Sequence, residues 1–271
     1  MTLTKSVLAA LWPQGDSEVP GLTDGIVLAS DRIFAQSGLA TGVAVAHAMA
    51  QFSHECGGGT TLVETLNYSA PGLMATWPSR FDAARSAAFA HQPERIANEV
   101  YNGRLGNRVG SDDGWTYRGR GGAQVTGRAN YERLGQTIGL DLLTEPDLVN
   151  HPDHFLACAV GQFLLCGCLP FALHDDVSGV TLHLNGGYIG LAQRQAWLAR
   201  WKTALAGQDQ AMPSTVWVQQ RLNNLGEHPP LVVDGAFGPM TGSALKSFQA
   251  AHALTVDGRL DPATVAALTA A

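Results

Sequence analysis

Residues 41–54 read Thr-Gly-Val-Ala-Val-Ala-His-Ala-Met-Ala-Gln-Phe-Ser-His, and Val43, Ala46, Ala50 and Phe52 fall on a helix-like apolar pattern. Three glycines follow at 57–59 and end it. From Phe155 to Leu173 the chain runs nineteen residues without a charge, with Gln162, Gly161, Gly167 and Pro170 inside the run and His174-Asp175-Asp176 after it. That interruption predicts a buried core helix ending near Pro170 rather than a membrane span. Over residues 1–205, apolar stretches of helical length alternate with Gly- and Pro-rich connections, and no long alternating strand stands out. The predicted class is mainly α.

The tail is patterned differently. Asp234-Gly-Ala-Phe-Gly-Pro-Met-Thr-Gly-Ser-Ala-Leu245 recurs 23 residues later as Asp257-Gly-Arg-Leu-Asp-Pro-Ala-Thr-Val-Ala-Ala-Leu268. Asp-Gly marks a turn, Gly238 or Asp261 stands at an N-cap, and Pro239 or Pro262 follows at the first helical position. Ala244, Leu245, Phe248 and Ala251 share a helix face, and Val218, Leu222 and Leu225 predict a further helix at 216–225. The small, polar stretch 206–213 suits a linker. The expected organisation is therefore a helical domain at 1–205, the linker, and a compact three-helix module at 214–271.

Apolar residues make up 45% of the 271 positions and charged residues 15%, enough apolar material for a core. A net charge of −6 argues against a dedicated nucleic-acid binder. Nine arginines against six acids over 80–133 leave one basic subregion that could face an anionic polymer. Val7 to Trp12 is too short an apolar run for a signal peptide, so the chain is expected to be made in the cytoplasm with Cys56, Cys158, Cys166 and Cys168 reduced. The cysteines lack zinc-ribbon spacing, no HExxH is present, and neither a metal nor any other cofactor is expected.

Glu55 falls at the end of the 41–54 helix pattern, where the helix dipole disfavours a negative charge and so favours a protonated carboxyl. Glu64 lies nine residues on, which in an unbroken helix would point it away; the glycines at 57–59 allow it to swing round to face Glu55. Two carboxyls across a cleft are the working parts of a glycosidase. A second block, Trp115-Thr-Tyr-Arg-Gly-Arg-Gly-Gly-Ala-Gln-Val-Thr-Gly-Arg-Ala-Asn-Tyr131, gathers aromatic, arginine, amide and hydroxyl groups suited to sugar rings and N-acetyl groups.

Together these blocks resemble glycoside hydrolase family 19, the chitinase and phage-lysozyme family with a helical, lysozyme-like fold. The resemblance lies in His54-Glu55-Cys56-Gly57-Gly58 (the family has Thr where Cys56 stands), Glu64-Thr-Leu-Asn-Tyr-Ser-Ala70, the 117–131 run and Asn185-Gly-Gly187. It implies Glu55 as general acid and Glu64 as general base in an inverting hydrolysis, with Thr126 holding the attacking water. It also implies substrate contacts from His54, Tyr68, Tyr117, Arg118, Gln124, Asn130 and Asn185. An inverting enzyme separates its carboxyls by about 6.5–9.5 Å to seat that water. Residues 217–226 and the doubled turn–helix unit resemble the peptidoglycan-binding domain of wall hydrolases.

These resemblances imply an endolysin that cuts the β-1,4 bonds of peptidoglycan, binding its glycan strands as a monomer, without membrane insertion or nucleic acid. A phage-encoded enzyme would reach the wall once a separate protein opened the membrane. The alternatives are a chitinase, a non-catalytic wall-binding protein, which retention of both glutamates argues against, and a zinc amidase.

Overall fold

In the computed structural model, residues 3–206 and 213–271 are described. They divide into two compact units at 1–209 and 210–271. The linker expected over 206–213 lies, except for its two end residues, outside the described residues.

The first unit holds α1 (Lys5–Leu11), α2 (Leu22–Ser37), α3 (Gly42–Glu55), α4 (Ala70–Thr76), α5 (Ala83–Phe89), α6 (Pro93–Tyr101), α7 (Asp113–Thr116), α8 (Arg128–Ile138), a 3-10 turn (Pro146–Asn150), α9 (Phe155–Leu165), α10 (Leu169–Leu173), α11 (Val177–Asn185) and α12 (Leu191–Leu205). Extended pairing among the described residues is limited to isolated bridges, Val63 with Arg120 and Arg120 with Val125. The mainly α reading holds.

Helix α3 is the axis of the unit. Thr41 caps it by accepting from the Ala44 N–H at 3.2 Å. The one-faced apolar pattern read from the sequence understates its burial: from Ala44 to Ser53 every residue is buried, because α9, α10, α11 and α12 pack around it. The polar residues on this helix are accordingly paired. Ser53 Oγ accepts the indole N–H of Trp12 at 2.7 Å and of Trp201 at 2.8 Å, and donates to Met49 O. His47 Nε2 meets Asp175 Oδ1 at 2.8 Å, and Lys202 Nζ reaches both Asp175 oxygens at 2.6 Å. These bonds clamp α3 to α12 and to the turn between α10 and α11.

The long uncharged run is two helices. The chain breaks at Cys166–Gly167, so α9 ends at Leu165, and Pro170 opens α10 where its missing N–H is harmless. The helix does not continue to Pro170 as expected. With eleven residues α9 is too short to span a bilayer, and no single described helix is long and apolar enough to do so.

The second unit contains α13 (Thr215–Asn224), α14 (Pro239–Ala251) and α15 (Pro262–Ala270). Val218, Leu222, Leu231, Ala244, Leu245, Phe248 and Leu268 form its core. Gly238 and Asp261 cap α14 and α15 at the positions the repeat predicts. The repeat also hides a matched pair that sequence spacing did not reveal. Buried Gln219 donates to Asp234 Oδ1, Ala236 O and Thr241 Oγ1 and accepts from Gly235 N. Buried Gln249 does the same with Asp257 Oδ1, Arg259 O, Thr264 Oγ1 and Gly258 N. Each glutamine locks one Asp-Gly turn onto the helix that follows.

Candidate active site

Glu55 is the last residue of α3 and is half-buried. At this helix end a buried cation stands against it. Arg194, on α12, donates from Nη2 to Glu55 Oε1 at 2.6 Å and from Nη1 to Gln51 Oε1 at 2.5 Å. Gln51 in turn donates to Thr181 Oγ1, so the guanidinium is held from behind by α3 and α11. A side chain with five donors in a fixed fork suits this task. His54 lies against Gly190: a Cβ on that glycine would fall within 2.4 Å of the ring. Partial burial, then Arg194, keep the His54 imidazole below its ordinary range, so it is neutral at pH 7. Cys56 is wholly buried in the main core and its thiol is pushed up to about 12 by burial. The side chain at this position therefore faces the core, and the missing threonine hydroxyl takes nothing from the cleft.

The backbone reverses through Gly57, Gly58 and Gly59, all at positive φ (58°, 65° and 90°), and a Cβ on Gly59 would strike the Gly15 backbone at 2.7–2.8 Å. This reversal delivers Glu64 to a short bridge. Glu64 N donates to Gly119 O at 2.9 Å, Gly121 N to Leu62 O at 2.9 Å, and Arg120 and Val125 exchange both backbone bonds. The Glu64 carboxylate accepts from Tyr101 Oη, at 2.8 Å to Oε1 and 3.1 Å to Oε2, and from Gly119 N at 3.3 Å. Burial and then Glu64 hold the Tyr101 phenol far above its ordinary range, so it stays a donor.

Gly119 is where the second block meets Glu64. A Cβ there would lie 2.8 Å from Gln124 Oε1, 3.3 Å from Thr126 Oγ1 and 3.4 Å from Glu64 Cβ. Glycine is thus required for close approach, and the three side chains share one side of the bridge. Gln124 sits at φ 47° and donates to Gly121 O; Thr126 Oγ1 donates to Gln124 O at 3.0 Å. Thr126 is not a helix cap, since Gly127 holds that position in α8.

The remaining expected contacts divide. Tyr68 is half-buried, edge-on to Trp77, and its phenol is raised by burial and then by Glu64. Arg118 stacks on Trp115 with its guanidinium carbon 3.7 Å from the ring centroid, and its buried Nε has no partner. Asn130 spends its N–H₂ on Thr126 O at 2.7 Å, bracing the threonine. Asn185 is exposed at the end of α11, against open solvent. Tyr117 is a correction: it is 6% exposed, packs on Tyr131, and gives its hydroxyl to Leu143 O, which leaves no face for a sugar. No group of three or more His, Cys, Asp or Glu suited to a metal occurs among the described residues.

Arg194, Gln51 and Tyr101 were not anticipated. A signal existed for Arg194: it shares the α12 stripe with Leu198, Trp201 and Leu205, and an arginine on a core stripe demands a buried anion.

Residues 30–161 match the family profile described as chitinase class I, and residues 212–268 match that of a peptidoglycan binding domain. A glycosyl hydrolase family 19 domain-containing protein of Haemophilus influenzae is 35% identical over 177 residues, covering 65% of this chain and 86% of that protein. An acidic 27 kDa endochitinase of Solanum lycopersicum is 50% identical over 46 residues, 17% of each chain. Among solved structures, chitinase C from Streptomyces griseus aligns with a TM-score of 0.47 at 18% identity, over 75% of this chain and 92% of that one. A glutamate-to-glutamine mutant of chitinase C gives 0.49 at 16% identity, over 75% and 76%. The chain is a glycoside hydrolase with a peptidoglycan-binding domain. It belongs to glycosyl hydrolase family 19.

Proposed function

We propose that this enzyme hydrolyses the β-1,4 bonds of peptidoglycan by an inverting single displacement, as an endolysin-type wall hydrolase. The observation that carries the choice of polymer is the wall-binding module on the same chain as the family 19 domain, since tethering raises the enzyme's local concentration on its own substrate. Glu55 gives a proton to the glycosidic oxygen as the bond to the anomeric carbon breaks. Its Oε1 is engaged by Arg194, so the proton belongs on Oε2. Glu64 removes a proton from the water that attacks the opposite face of the ring. Tyr101 and Gly119 N fix the plane of that carboxylate. The Thr126 hydroxyl spends its hydrogen on Gln124 O, which leaves its oxygen to accept from the water.

Mass spectrometry of digested, purified peptidoglycan tests the reading. Reducing-end muramic acid is expected. Reducing-end glucosamine would move the cut to the other bond, and free peptide would overturn the glycosidase assignment. Turnover of N-acetylglucosamine polymer with intact peptidoglycan would select the chitinase reading, which the description of the matched family favours.

A further inference from the structure

The loop joining α11 to α12 is pinned to the Glu55 side of the site and yet presents bare apolar side chains. Arg194 donates from Nε to Ile189 O at 3.3 Å while its Nη2 holds Glu55. The next residue, Gly190, is at φ 74° and packs on His54, where any side chain would collide with the ring. The backbone at 189–190 is therefore fixed to the residues that surround the carboxyl. Tyr188 is nevertheless 57% exposed and Ile189 81% exposed, and Cβ atoms added at Gly186 and Gly187 would meet nothing. Asn185, exposed at the near end of the same loop, adds an unengaged amide. Single exposed apolar residues need no explanation, but an adjacent aromatic and aliphatic pair on a loop anchored to a glycosidase carboxyl does.

We propose that Tyr188 and Ile189 form a sugar-binding lip. It takes the C–H face and the N-acetyl methyl of a β-1,4-linked N-acetylhexosamine beside the scissile bond. The Tyr188 ring supplies a stacking face and Ile189 an apolar contact, while the hydroxyls at the ring's rim stay in water. The proposal rests on the glycosidase reading of the Glu55 site. Its ligand chemistry is shared by N-acetylglucosamine polymers and by peptidoglycan glycan.

Binding, measured apart from turnover, tests it. Glu64→Gln is the parent, because Glu64 belongs to the bridge and not to the Arg194 network. Titration calorimetry is run with an N-acetylglucosamine hexamer and with a peptidoglycan-derived oligomer of alternating N-acetylglucosamine and N-acetylmuramic acid. Adding Tyr188→Ala and Ile189→Ser is expected to raise Kd roughly tenfold, with an unchanged circular-dichroism melt because both side chains are exposed. Tyr188→Phe should bind as the parent does, since the ring and not the hydroxyl makes the contact. Equal loss on both oligomers assigns the shared ring face and acetyl group; loss confined to the alternating oligomer assigns the muramic residue. An unchanged Kd on both, a Tyr188→Phe as weak as the double variant, or a parent that binds neither oligomer overturns the lip. If the protein with Glu64 intact cleaves neither oligomer, the glycosidase reading fails, and the Kd ratio still decides the lip.

Discussion

Glu55 ends a 14-residue helix and is gripped by an arginine 139 positions further along the chain, whereas Glu64 stands on a short bridge and takes its hydrogen bonds from a phenol and a backbone N–H. The first carboxyl is held by a buried charge and the second by neutral donors. A charged partner in a dry setting cannot be removed without orphaning its mate, so the Glu55 side joins catalysis to stability. Neutral donors can be removed one at a time at modest cost, so the Glu64 side can be dissected chemically with the fold intact.

The largest expected effect is on activity at Glu55. On the proposed mechanism Glu55→Gln removes the proton donor, and turnover of purified walls should fall about 10²–10⁴-fold, the usual worth of general acid catalysis. It also replaces the carboxyl that Arg194 contacts at Oε1 with an amide, a weaker partner for the guanidinium, so the melting temperature should drop. Glu64→Ala should lose activity over the same range with little change in melting temperature. Equal melting shifts in the two variants would erase the distinction between the two sides.

Arg194→Gln sharpens it further. Arg194 is 1% exposed, and breaking a buried pair by removing one partner costs roughly 3–5 kcal/mol. For a unit of this size that is about 10 °C in melting temperature. Tyr101→Phe removes a donor to a carboxylate, worth about 1.5–3 kcal/mol, and should lower kcat by roughly tenfold or more, with a smaller fall in melting temperature than Arg194→Gln. Calorimetry and kinetics on the same two preparations decide whether the losses divide this way.

The ionic side should also feel pH. His47, on the same helix as Glu55, is held below its ordinary value of 6.5, by burial first, against the Asp175 hydrogen bond that raises it. Asp175, Asp176 and Lys202 are the charged groups around it. Because the folded value lies below the unfolded one, the unfolded chain binds the extra proton in this window. The stabilisation is fully present above pH 6.5 and is lost as pH falls below it. Melting temperature should therefore decline on acidification through that range, and His47→Gln should flatten the slope. A slope unchanged by that substitution would remove His47 from the account.

Much of this was legible in the sequence because the signals were local. The glycine triplet announced the reversal between the two glutamates, the Asp-Gly and Pro signals placed the caps of α14 and α15, and the 115–131 run delivered Gln124 and Thr126 to Glu64. The misses are long-range or concern direction. Nothing near Glu55 in sequence points to Arg194, and nothing near Glu64 points to Tyr101, because packing of distant helices makes those pairs. Tyr117 lies in the run expected to contact sugar, but its ring turns inward onto Tyr131, a choice made by the core. Two other acids of the basic 80–133 subregion, Glu99 and Asp112, are engaged elsewhere: Glu99 pairs with Arg85 at 2.8 Å, and Asp112 accepts from Asn98 at 3.0 Å.

The smallest effect belongs to Thr126, and it tests the neutral side at its finest. The hydroxyl gives its hydrogen to Gln124 O, while Asn130 braces the Thr126 carbonyl, so the side chain is oriented from two directions before any water arrives. Only one lone-pair contact to the water remains for it to make, worth about 0.5–1.5 kcal/mol. Thr126→Ala should therefore slow kcat by roughly 2–12-fold with KM nearly constant, far less than Glu64→Ala. Thr126→Ser keeps the hydroxyl and should recover most of the rate. If Thr126→Ala falls as far as Glu64→Ala, the hydroxyl does more than orient a water, and the Glu64 side is a coupled unit rather than a set of separable neutral bonds.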